Sequence, residues 1–177
     1  MPNIDRTALI ANVALFQAGW FACVMAGAYG QIWVALIGLA AVLAWHLYRA
    51  RQPRRELALT AFVALIGAAY ETMLAQTGWM RPTSGEWVPG IAAYWLVCLW
   101  AVFATTLNVS LRWLRARLLV AAAFGAIGGP VAYYAGSRLG ALELAALGPA
   151  LASIAIGWAI LTPAMLMVAR RLDGYST

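Results

Sequence analysis

The chain contains no lysine: all 12 basic residues are arginine, set against six acids and one histidine in 177 residues. Charged residues are only 10% of the sequence and hydrophobic ones 64%, with a mean hydropathy of +0.80. An average soluble protein carries about 25% charged residues, so too little polar surface is present to cover a water-soluble globule. One histidine and two distant cysteines, Cys23 and Cys98, supply no metal-ligand spacing and no pair of axial haem ligands. There is no phosphate-binding glycine loop, no His-Glu-x-x-His and no Gly-x-Ser-x-Gly, which removes the common nucleotide, zinc-protease and serine-hydrolase signatures. No cofactor or metal is expected.

What the chain does have is apolar length. A bilayer core about 30 Å thick takes roughly 20 helical residues, and six runs approach that length: residues 7–28, 32–48, 57–77, 91–110, 118–137 and 145–169. Together they leave no room for a separate soluble domain, so residues 1–177 read as a single transmembrane domain. The predicted fold class is all-α, a polytopic bundle of six transmembrane helices. Between the third and fourth runs, residues 78–90 carry Pro82, Gly85 and Pro89 and break the chain. The first run ends near a small-residue Ala26-Gly27-Ala28 site, as a secretory signal would. Its length and its single Arg6 offset by Asp5 read instead as a retained helix.

Arginine sets the orientation. With the N-terminus inside, Arg6, the group Arg49, Arg51, Arg54 and Arg55, the group Arg112, Arg115 and Arg117, and Arg170 with Arg171 all lie on the cytoplasmic side. That is ten of the twelve, leaving Arg81 and Arg138 outside, and short cytoplasmic loops are enriched in basic residues. The prediction is therefore N-in, C-in, and the net charge of +6 reads as a topology signal rather than a nucleic-acid footprint. Tyr29, Trp33, Trp79, Trp87, Tyr94 and Trp95 are predicted at the outer interface, and Trp45, Tyr48 and Trp113 at the inner one. Trp20, Trp100 and Trp158 fall deeper, where they pack within the bundle or line an apolar cavity.

Polar groups within the spans each need a partner. Glu71 lies about 14 residues into the third run; Arg138, at the outer end of the fifth, is a candidate counter-charge, and the two form a candidate outer polar site. His46 and Asn108 form a candidate inner site, with Glu56 near them and Asn12 at similar depth. Gln17 is predicted to hydrogen-bond between helices. Gly19, Cys23 and Gly27 recur every fourth residue, a stripe along which another backbone approaches closely. Gly128, Gly129 and Pro130 predict a break or kink in the fifth helix.

Three strings carry a resemblance: Leu15 to Cys23 (LFQAGWFAC), Phe103 to Leu114 (FATTLNVSLRWL), and Gly128 to Tyr133 (GGPVAY) with Gly136. Together they resemble a bacterial inner-membrane family catalogued as domain of unknown function 2878, over nearly the whole chain. The resemblance implies a small polytopic protein of the cytoplasmic membrane and, by association, a lipid-related role; it implies no catalytic residue. The expectation is an inner-membrane protein that binds or helps to process a lipid or other hydrophobic substrate. Two alternatives stay open: a small carrier or channel using Glu71, and a non-catalytic assembly subunit docking a membrane-protein partner or a second copy of itself. Membrane lipids are the expected partners and nucleic acid is not.

Overall fold

The computed structural model describes residues 6–176; Asp5 lies outside the described residues. The apolar runs become helices α1 (Arg6–Tyr29), α2 (Ile32–Arg49), α3 (Pro53–Gln76), α4 (Tyr94–Leu107), α5 (Leu118–Arg138) and α6 (Leu147–Arg171). All but α4 are long and apolar enough to cross a membrane. Their outward faces carry bare aliphatic side chains such as Ile10, Ile37, Leu65, Leu119, Ile127 and Ile160, as a helix surface facing hydrocarbon would.

The fourth apolar run yields a shorter helix than its length predicts. Ala93 is extended, and at the far end Thr105 and Thr106 return their hydroxyls to the carbonyls of Val102 and Phe103 at 2.8 and 2.7 Å. The chain then passes through turns into a 3₁₀ segment, Arg112–Ala116. Although shortest, α4 is the central helix: 11 of its 14 residues are buried, and it packs on α1, α2 and α3.

The connections gather at two ends. At one, Ser84 donates to the Gly27 carbonyl (2.6 Å), and strands β1 (Met80–Pro82) and β2 (Leu142–Leu144) pair antiparallel, with Arg81 opposite Glu143. Sequence inspection reads the first of these loops only as a break, because three-residue strands carry no usable periodicity. At the other end Gln52 N–H donates to the Gly174 carbonyl (3.0 Å), and Asn12 Nδ2 donates to the Thr105 carbonyl (3.1 Å). Consecutive helices therefore run in alternating directions. One end carries the ribbon with Arg81 and Arg138, and the other is the arginine-rich end.

Two expectations change. α5 is helical without interruption from Leu118 to Arg138, Pro130 included, so the predicted break is absent. Pro130 forfeits one backbone hydrogen bond, but close packing on α6 supports the helix here. A Cβ on Gly129 would lie 2.5 Å from the Trp158 ring, and one on Gly125 would collide with the Trp158 carbonyl. Trp95, predicted at the interface, is buried because its ring fills the space over Gly27, where a Cβ would approach it to 2.5 Å. The Gly19-Cys23-Gly27 stripe is thus covered within the chain by α4 and α2, with Val102 and Val42 over Gly19. Cys23 and Cys98 are buried free thiols.

Candidate functional site

Two buried glutamates organise the polar interior, one near each end. At the arginine-rich end Glu56, in the first turn of α3, is enclosed. Its Oε1 accepts hydrogen bonds from Asn108 Nδ2 and Gly174 N–H, both at 2.6 Å, and its Oε2 lies 2.9 Å from His46 Nε2. The Tyr175 hydroxyl donates to the His46 carbonyl (2.7 Å) and lies 3.2 Å from His46 Nδ1. The inner residues predicted from sequence, His46 and Asn108, are thus brought together through Glu56. Asn12 sits close by, bonded to Thr105 and accepting from Ser110 N–H at 3.3 Å.

The tail after α6 completes this cluster. Asp173 accepts from Arg112 Nη2 (2.7 Å), Arg115 Nη1 (2.8 Å) and the Ser176 hydroxyl (2.5 Å), and its other oxygen accepts from the Tyr175 and Ser176 amides. Burial alone would raise the Asp173 carboxyl, but the Ser176 hydroxyl, Arg115 and the Tyr175 amide outweigh it and hold Asp173 below its ordinary 3.8. Burial lowers the Arg115 guanidinium, against the pull of Asp173, and burial followed by the charge of Glu56 raises the Tyr175 phenol. Gly174 is required by contact: a Cβ there would lie 2.6 Å from the Gln52 carbonyl. Two of the arginines assigned only to topology therefore also anchor the tail. The available signal was the lone acid, Asp173, two residues after Arg171.

Glu71 lies nearer the ribbon end, fully buried. It does not pair with Arg138, which is exposed at the end of α5; the ion pairs among the described residues are His46–Glu56 and those of Asp173 with Arg112 and Arg115. Trp100 Nε1 donates to Glu71 Oε1 (2.8 Å), as does the Tyr133 hydroxyl. Glu71 Oε2 has no partner. The reason for the changed pairing is direction: Glu71 faces the bundle axis, where α4 and α5 present Trp100 and Tyr133, while Arg138 faces away.

Beside Glu71 is a cavity of about 330 Å³ between α1, α4, α5 and α6. Its walls are apolar and aromatic. Trp100 and Trp158 stack at 4.6 Å between centroids with 18° between planes, and Phe103 stands edge-on to Trp158 at 5.1 Å. Gly125, Gly128 and Gly129 belong to the α5 wall: Gly125 and Gly129 let α6 approach, and Gly128 leaves open space. Gln17, Phe124, Gly128 and Val131 line the cavity and are also exposed, so it opens sideways between α1 and α5, which barely touch. Gln17 makes no interhelical hydrogen bond; it stands at this opening. Two further buried polar atoms on the walls have no partner, Thr162 Oγ1 and Trp158 Nε1. Sequence reasoning allowed for Trp100 and Trp158 lining a cavity, as they do, but missed Tyr133 and Thr162, which carry no spacing signal.

Apolar walls, a few convergent polar groups and a volume at the lower end of the roughly 300–1,000 Å³ range are the features of small-molecule sites. Comparison with curated proteins and with solved structures finds no match. A family model described as "Protein of unknown function (DUF2878)" matches residues 9–164, which takes in α1 through most of α6, with both carboxylates and the whole cavity wall. The chain belongs to the DUF2878 family, and its helices are those of a multi-pass membrane protein.

Proposed function

We propose that this protein spans a bacterial inner membrane six times, with both termini cytoplasmic, and takes a lipid or other hydrophobic substrate into the cavity between α1 and α5. The orientation is supported by the concentration of arginine at one end, with Arg81 and Arg138 at the other. The ligand reading rests on one observation: an aromatic-walled cavity open sideways at apolar helix faces and bordered by a buried carboxylate with one oxygen unpartnered. A ligand dissolved in the bilayer would enter such a cavity without crossing water. Intramembrane ionisable groups that do not form ion pairs mark functional sites by default.

Gly128 provides the test. It lines the cavity, and a Cβ there meets nothing within 4 Å, so Gly128→Leu fills the space without disturbing the packing of α5 on α6. Native mass spectrometry of the purified chain should show a co-purifying hydrophobic molecule that the variant loses while keeping its thermal stability. Equal occupancy in the two proteins, or none in either, would sink the reading.

A further inference from the structure

The unpartnered atoms around the cavity describe the polar part of what it takes. Trp100 Nε1 and the Tyr133 hydroxyl both spend their protons on Glu71 Oε1. Glu71 Oε2 is left as an acceptor with no donor. On the adjoining wall Trp158 Nε1 is a donor with no acceptor; it approaches the Tyr133 hydroxyl but completes no hydrogen bond. Thr162 Oγ1 is a hydroxyl with neither. A buried polar atom left without a partner costs about 1–3 kcal/mol, so a ligand that satisfies one acceptor and one donor at once gains from both.

Charge narrows the choice. No arginine lines the cavity, and Arg138 and Arg81 are exposed at the ribbon end. A phosphate or carboxylate brought beside Glu71 would find no cation, and removing an unpaired anion from water is among the most costly steps available. A hydroxyl both donates and accepts, so it fits Glu71 in either protonation state and can also take the Trp158 N–H. From these juxtaposed groups we propose that the cavity selects an uncharged long-chain amphiphile carrying a hydroxyl group, such as a fatty or isoprenoid alcohol, over charged lipids. This rests on the reading of the cavity as a ligand site.

Three terminally brominated chains of equal length, ending in a hydroxyl, a carboxylate or a methyl group, test it. Bromine quenches indole fluorescence at contact, and Trp100 and Trp158 form the cavity wall. The full-length chain in detergent micelles is titrated with each, and the part of the quenching abolished by Gly128→Leu is taken as the cavity signal. At alkaline pH the alcohol should bind about tenfold more tightly than the carboxylate, equivalent to about 1.4 kcal/mol, and more tightly than the alkane. Glu71→Gln, which retains an oxygen for Trp100 and Tyr133, should narrow the gap between alcohol and carboxylate. Equal affinities for alcohol and alkane, or a preference for the carboxylate, would overturn the head-group assignment and leave the hydrophobic site standing. Failure of all three chains to give a Gly128→Leu-sensitive signal would overturn both.

Discussion

Glu56 and Glu71 sit on the same helix, both cut off from solvent, and their surroundings differ in completeness. Glu56 has both oxygens engaged, by His46, Asn108 and Gly174, the His46 ring lying only 2.9 Å away. Glu71 receives two donors on one oxygen, none on the other, and no cation. Around the first the chain is closed, with the tail folded over it; beside the second a cavity opens. A satisfied carboxylate is explained by the fold it holds together, whereas a half-satisfied one is not, and native structures leave few such groups unexplained.

The largest effect should come from Glu56→Ala. Removing the carboxylate leaves His46, Asn108 and the Gly174 N–H without their buried acceptor, at about 1–3 kcal/mol for each unsatisfied group, which thermal unfolding in detergent would register as a large fall in midpoint. If Glu56→Ala unfolds like the parent, the contrast between the two carboxylates is lost. Next, Gly129→Ala drives a methyl group to 2.5 Å from the Trp158 ring and should cost about 1–3 kcal/mol by overpacking. Gly128→Ala, one residue away with open space around it, should be neutral or slightly stabilising. Equal midpoints for the two would mean that the α5–α6 seam is looser than its packing indicates.

A smaller effect depends on pH. Because Asp173 is held below 3.8 in the folded chain, its stabilisation is fully present above that value and is lost as pH falls through the lowered one. Acid titration of the unfolding midpoint should show a decline over that interval that Asp173→Asn abolishes; an unchanged decline in the variant would detach the tail from the acid response. The stability loss of Glu71→Gln should be small, at most about 1 kcal/mol, because the amide oxygen still accepts from Trp100 and Tyr133. A loss comparable to that of Glu56→Ala would make Glu71 a structural residue like its neighbour.

The helices and the two ends of the molecule were legible because run length and arginine placement are one-dimensional signals. His46 and Asn108 were legible as a pair for the same reason: each lies near the C-terminal end of its run, and helices two apart in an alternating bundle finish at the same end. Partners deep in the spans were not. Choosing Arg138 for Glu71 followed opposite charge, but the direction in which a side chain leaves its helix decides the contact, and Tyr133, little more than one turn before Arg138, faces Glu71 instead. Glycine was half legible. Gly19 and Gly27 pointed to close approach, as found, yet Gly128 and Gly129 beside a proline suggested a break. The structure uses them to admit a neighbouring ring and to leave a space.

The ribbon between β1 and β2 has a mechanical meaning when set beside the tail. α5 and α6 pack tightly on each other and lightly on the other four helices. The ribbon fastens this pair to the α3–α4 loop at one end, and Asp173 fastens it through Arg112 and Arg115 at the other. The α5–α6 pair is thus held to the body at both ends, and the cavity mouth, where Gly128 and Val131 are exposed, lies on the stretch of α5 between the two moorings.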